Sequence, residues 1–178
     1  MHNAVAVIMM GQSPEKPESN DVYRTLSEKF DTRMMGLLDG MDDAAIDALR
    51  PHGNEMFIVS TIRSGRGVQI AEREAMRLTR EKLVEAERGG ASAALILCTG
   101  HFEIPGHLKI PVFTPERIIF ALFNSLSIKK LGVILPEEGQ KCSALTYYAS
   151  FNPVVLAASP YGGRERIAEA AGELAQSG

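Results

Sequence analysis

Apolar and polar positions along the chain fall into short apolar runs that alternate with longer stretches of helical period. Ala4 to Met10 is an unbroken apolar run closed by Gly11, the pattern of a strand covered on both faces. Pro14 and Pro17 keep the next loop extended, and Ser19, Asn20 and Asp21 offer caps for a helix through Phe30. A second strand is expected near Thr32 to Leu38. Asp39-Gly40 marks a turn, and Asp42-Asp43 place negative charge at the start of a short helix that must stop at Pro51. Met56 to Ile62, the turn residues Ser64-Gly65-Arg66-Gly67, and Val68 to Ile70 read as a hairpin. Such a hairpin is an insertion into a parallel repeat.

From Glu72 to Arg88 helix formers dominate, with Ala75, Thr79, Leu83 and Ala86 on one face and pairs such as Arg77 with Glu81 on the other. Gly89-Gly90 ends this helix. The strand Ala93 to Leu97 then delivers Cys98-Thr99-Gly100, and Pro105-Gly106 and Pro111 punctuate the loop beyond. A second series follows: Pro111-Val112-Phe113, helix Pro115 to Ser125, strand Leu131 to Leu135, helix Glu137 to Ala149, strand Val154 to Ala158 and helix Gly163 to Ala175. The alternation predicts an α/β fold with parallel sheets and right-handed crossovers. We expect two small Rossmann-like lobes, residues 1–110 with the hairpin at 56–70, and residues 111–178.

Charge narrows the choice of partners. A formal net charge of −3, a pI near 5.8 and the lack of a basic stretch interleaved with aromatic residues argue against nucleic acid. The apolar runs have the length of strands and are too short to span a bilayer. Met1-His2-Asn3 has no basic region and the apolar segment ends without a cleavage site, so a cytoplasmic protein with a structural first strand is expected. Two cysteines, Cys98 in a buried-looking segment and Cys142 in a helical one, are too few for a disulfide framework and fit a reducing compartment.

In parallel α/β sheets ligands collect at the carboxyl ends of strands. Four such ends are Gly11-Gln12-Ser13, Cys98-Thr99-Gly100-His101, Pro136-Glu137-Glu138 and Ser159-Pro160-Tyr161-Gly162. A thiol at a strand end beside Thr99 and Gly100 can meet solvent and have its thiolate stabilised by local amides. Equally, Cys98 can be a small buried residue finishing Leu95-Ile96-Leu97. Thr99 and Gly100 suit a carboxylate or an ordinary turn; Gln12 and Ser13 suit an anion or a loop and helix entrance. Ser159 is either a ligand contact or the N-cap of the last helix. His101 is a candidate acid or donor near Cys98, or a solvent-facing loop residue. With Glu103 and His107 it suggests a metal cluster, but Ile104-Pro105-Gly106 intervenes and no cysteine pair follows, so no zinc site is expected. Arg63, Arg66, Arg73, Arg77 and Arg80 could attract an anionic small molecule, while Glu72, Glu74 and Glu81 argue for an internally paired surface. Cys142, in a helix with no flanking glycine, reads as structural. Gly11-Gln12-Ser13-Pro14-Glu15 lacks the glycines and basic residue of a phosphate loop, so no nucleotide cofactor is expected.

Taken in order, Gly11-Gln12-Ser13-Pro14 after the first strand, Gly36-Leu37-Leu38-Asp39-Gly40, Cys98-Thr99-Gly100, Leu131-Gly132-Val133-Ile134-Leu135-Pro136 and Ala158-Ser159-Pro160-Tyr161-Gly162 resemble the AroM family, which is related to the aspartate/glutamate racemase superfamily. The resemblance implies two lobes facing across a cleft, with a thiol from each on opposite sides of a small carboxylic acid. Cys98 would be the first thiol, with Thr99 and Gly100 holding substrate and Gln12, Ser13, His101, Ser159 and Tyr161 around it. Cys142 lies away from any strand end and does not match the second thiol. Because the resemblance implies a further strand with that thiol beyond Gly178, the second lobe is expected to be incomplete, leaving an edge that favours a homo-oligomer. The expected activity is a cofactor-independent racemase, isomerase or lyase-like reaction on a small carboxylate. The alternatives are a small-molecule binding or regulatory protein without turnover, and a structural partner subunit.

Overall fold

A strand flanked on both edges and covered on both faces has no polar side to present, and β1 (Ala4–Met9) occupies that position. The computed structural model describes residues 3–160 and 163–176. Two compact units divide the chain, Met1–Phe120 and Ala121–Gly178. In the first, β1 is followed by α1 (Asp21–Ser27), β2 (Asp31–Gly36), α2 (Asp43–Asp47), β3 (Phe57–Thr61), β4 (Gly67–Ala71), α3 (Glu72–Arg88), β5 (Ala93–Leu97), β6 (Val112–Phe113) and α4 (Pro115–Ser125), whose last residues belong to the second unit. β2, β1, β5 and β6 lie in that order in one sheet, every neighbouring pair parallel. β6, at the start of the expected second series, is thus the edge strand of the first sheet, with Ala94 beside Val112 and Leu95 beside Phe113.

Local chemistry fixes the helix starts. The Asn20 side chain accepts the Val22 and Tyr23 N–H groups at 3.0 and 3.1 Å, and Asp42 accepts that of Ala45 at 2.8 Å. α1 stops at Ser27, short of the expected Phe30, because the Leu26 carbonyl takes the N–H groups of both Lys29 and Phe30 in a closing turn. The hairpin β3–β4 is antiparallel and forms a separate two-stranded sheet, turning at Gly65 with φ of 82°. It is the insertion that the turn residues predict. α3 buries Ala75, Leu78, Thr79, Leu83 and Ala86, while Arg77 pairs with Glu74 and Glu81 on its outer side. Ala75, Leu78, Leu83 and Ala86 join Ile8, Leu37, Leu38, Ile70, Ile96 and Phe102 in one core.

The second unit holds β7 (Leu131–Leu135), α5 (Lys141–Tyr147), β8 (Pro153–Ala157) and α6 (Arg164–Gln176), with β7 and β8 paired in parallel. α6 packs on β7 where Gly132 leaves room: a Cβ there would lie 3.1 Å from Leu174 Cδ1. Among the described residues of this unit only Ala144, Phe151 and Ala158 are buried apolar groups. The helix expected over Glu137 to Ala149 is reduced to α5 between short 3-10 turns at Glu138–Gln140 and Ala149–Phe151. Gly139 weakens its start, and Asn152, in the left-handed conformation at φ of 46°, ends the second turn. Among the described residues no helix is long and apolar enough to cross a membrane.

Two glycines let the segments at the ends of β1 and β2 interlock. A Cβ on Gly36 would collide with Ser13 N, and would lie 2.6 Å from Gly11 O and 2.8 Å from Gln12 C. A Cβ on Gly11 would collide with Thr61 O and reach Ser60 Oγ at 2.7 Å. Backbone atoms cannot rotate away as a side chain does. Gly36→Ala is therefore predicted to destabilise the chain by about 2 to 3 kcal/mol. Gly67→Ala, at a position with open space, should change stability by no more than about 0.5 kcal/mol. Urea unfolding of the two variants compares these outcomes.

Candidate functional site

Sheet register brings the strand ends of the first unit to one level. Met9 stands beside Gly36 of β2 on one side and Leu97 of β5 on the other. Met10 and Cys98 are the residues that follow these two paired strand ends. The loops carrying Gln12 and Ser13, and Thr99, Gly100 and His101, leave the same edge side by side. All the candidate residues of the first unit thus gather at the carboxyl edge of one parallel sheet.

Asp39, just past β2, ties this edge together. Its Oδ1 accepts the Ser13 N–H at 2.9 Å, and its Oδ2 accepts the Ser13 hydroxyl at 2.7 Å and the Gly36 N–H at 2.8 Å. Arg63, from the hairpin turn, donates from Nη2 to Asp39 Oδ1 at 3.2 Å and to Ser13 Oγ at 3.2 Å, and from Nε to Ser13 O at 2.7 Å. Its backbone N–H donates to Gln12 Oε1 at 3.0 Å, and Gln12 Nε2 reaches Leu38 O at 3.5 Å. Gln12 and Ser13 thus direct their side chains into the protein's own network, holding the loop. What they hold is a cation: Arg63 Nη1 donates to no group among the described residues, and its side chain is 41% exposed. In the sequence Asp39 reads only as a turn residue and Arg63 only as one of a surface cluster.

The rest of that cluster is internally paired. Arg66 binds Asp43 and Asp47, Arg73 binds Glu55 and Glu74, Arg77 binds Glu74 and Glu81, and Arg80 binds Glu103. Arg63 differs in its place: it is bonded to Ser13 and Asp39, beside the loop that leaves the carboxyl end of β1.

Cys98 is half-buried, packed against the core, and its sulfur accepts the Gly100 N–H at 3.4 Å. Burial pushes the thiol above its ordinary range, and the Gly100 and Thr99 amides pull partly against this. A Cβ on Gly100 would sit 3.5 Å from the sulfur and 3.5 Å from the Phe102 ring, which is buried. Thr99 is exposed beside it. His101 is exposed too, yet its Nδ1 lies 3.0 Å from Oε1 of buried Glu116. Glu72, at the start of α3, also interacts electrostatically with His101; burial raises the Glu72 carboxyl and the histidine lowers it. The arrangement differs from the metal cluster that His101, Glu103 and His107 suggest, since Glu103 turns to Arg80 at 2.6 Å. Among the described residues no three His, Cys, Asp or Glu side chains are placed to hold a metal ion.

In the second unit Ser159 follows β8 and is half-buried. It does not cap the last helix, because α6 begins only at Arg164. Tyr161 lies outside the described residues. Cys142 is on α5 and exposed, so it does not fill the core as a structural residue would.

A family model described as AroM protein matches residues 5–178. Among curated proteins none matches the chain.

The raised Cys98 thiol yields a direct expectation. In Cys142→Ser, which leaves one thiol, the ultraviolet absorbance of thiolate should rise only at pH above the ordinary cysteine range, and return to that range in urea. The linked stability has a definite sign. A folded-state pKa above the unfolded one leaves stability intact below the unfolded value, and stability falls as pH climbs through the folded value. A thiolate signal already complete at neutral pH in the folded chain would contradict this.

Proposed function

Since the chain belongs to the AroM protein family, we propose that it is a cofactor-independent racemase, isomerase or lyase-like enzyme that moves a proton beside the carboxylate of a small acid, with Cys98 as base. One observation carries the reading: a thiol at the end of β5 and a pinned, partly unsatisfied guanidinium at the neighbouring end of β1 share one sheet edge. A planar guanidinium suits a carboxylate, and one fixed by Ser13 and Asp39 loses little freedom on binding it. Withdrawing a proton next to a carboxylate concentrates negative charge on its oxygens, so a fixed cation there lowers the barrier. The Thr99 hydroxyl adds a donor near the thiol. This agrees with what the related aspartate/glutamate racemase superfamily implies, a thiolate acting on a carbon acid.

A second reading is favoured by one specific fact. Burial holds the Cys98 thiol protonated beyond its usual range, and a neutral thiol suits a binding or regulatory protein that recognises the acid without turning it over. In the enzyme, substrate must meet the thiol ionised, with Arg63 facing the substrate carboxylate.

We place the protein in the reducing cytoplasm, on two unpaired thiols. We further propose a homo-oligomer, because β7 and β8 pair only with each other among the described residues and leave strand edges to cover.

Incubation with small carboxylic acids in heavy water tests the two readings. The enzyme incorporates deuterium at the carbon next to the carboxylate, and Cys98→Ser reduces incorporation by about 100-fold or more. Thermal stabilisation by an acid without incorporation would instead establish the binder.

A further inference from the structure

We propose that His101 and Glu116 form an acid-base dyad beside Cys98, in which Glu116 positions the imidazole and His101 carries the second proton of the reaction. The inference rests on the proton-transfer reading above and adds the partner that one thiol lacks.

The loop after β5 is held at successive residues. Gly100 N–H is bonded to the Cys98 sulfur, and Phe102 is buried at 2% exposure, so His101 sits between two anchored positions. Glu116 is equally fixed. Thr114, 1% exposed, accepts the Arg117 N–H at 3.4 Å, and Pro115 opens α4, placing Glu116 in its first turn. A carboxylate is seldom buried without a partner that justifies its desolvation. Glu116 is only 9% exposed, whereas the imidazole it bonds through Oε1 is 54% exposed. Its second oxygen, Oε2, is buried without any hydrogen-bond partner among the described residues. Here a buried acid orients an accessible base, the division of roles by which a carboxylate sets an imidazole's tautomer and steadies its cation. Glu72, from α3, adds a second acidic neighbour to the same ring.

The step balances with these groups alone. Cys98 thiolate takes the proton from carbon: the C–H bond breaks, S–H forms, and the electron pair moves into the carboxylate, whose charge faces Arg63. The His101 imidazolium then loses a proton to the same carbon, forming the new C–H bond and leaving neutral imidazole. The enzyme emerges as thiol plus imidazole, the form that runs the reverse reaction with the roles exchanged.

Two measurements on the full chain decide the matter. In nitrogen-15 NMR, neutral His101 should carry its proton on Nδ1, and Glu116→Ala should move it to Nε2. A wild-type imidazole with its proton on Nε2, or one unchanged by Glu116→Ala, overturns the dyad whatever the activity. The second uses enantiopure alanine, aspartate, lactate, malate and 2-phenylpropionate in heavy water, comparing inversion with deuterium incorporation. In His101→Asn, and again in His101→Gln should the first fold poorly, inversion should drop about 100-fold relative to incorporation. Glu116→Ala should show about a tenfold drop in the same ratio. Inversion that keeps its wild-type ratio without His101 overturns the inference while leaving Cys98 as base. Wild-type protein that incorporates no deuterium into any of these acids removes the enzymatic reading, and with it the proton-carrying role of His101.

Discussion

The carboxylate of Asp39 holds three segments of the first unit together. It accepts two bonds from Ser13 after β1, one from Gly36 at the end of β2 and one from Arg63 in the hairpin turn. Bonds to a charged acceptor contribute about 1.5 to 3 kcal/mol each, more than neutral ones. With them the backbone approach permitted by Gly11 and Gly36 becomes a fixed junction. Since β1 is also in register with β5, the position of Cys98 relative to that junction follows from sheet geometry. The side chains that could meet a ligand are therefore carried on a rigid edge, as a preorganised site requires.

That edge combines groups with opposing tendencies. Burial disfavours charge on Cys98, while Arg63 brings a positive charge that the Ser13 and Asp39 bonds orient. Glu116 brings the reverse, a buried acid beneath an exposed imidazole. Each group is ordinary by itself. They come from different elements, Arg63 from the hairpin turn, Cys98 and His101 from the loop after β5, and Glu116 from the first turn of α4.

Much of this was legible from residue patterns, and the exceptions have physical causes. The apolar run of β1, the long amphipathic α3 and the glycine-rich hairpin turn announce themselves because their signals are local and strong. So does Cys98 at a strand end. Asp39 and Arg63 escape because their partners lie 24 and 26 residues away and meet only after the sheet and hairpin have formed. Glu116 escapes for a related reason: an acid in a helix's first turn normally faces water, and its partner His101 lies 15 residues earlier. The α5 helix is shorter than its composition suggests because 3-10 turns at Glu138–Gln140 and Ala149–Phe151 take the place of its ends. Ser159 lost its capping role because the last helix starts at Arg164.

The central claim is that a small carboxylate is drawn by Arg63 to the sulfur of Cys98. Iodoacetate and iodoacetamide share a leaving group and differ in charge, and exposed Cys142 provides an internal reference for each reagent. Mass-spectrometric rates of alkylation at both cysteines, in wild type and in Arg63→Gln, test the claim directly. The account predicts that, normalised to Cys142, iodoacetate labels Cys98 faster than iodoacetamide, and that Arg63→Gln abolishes the preference. Faster labelling of Cys98 by the neutral reagent in both proteins would contradict it.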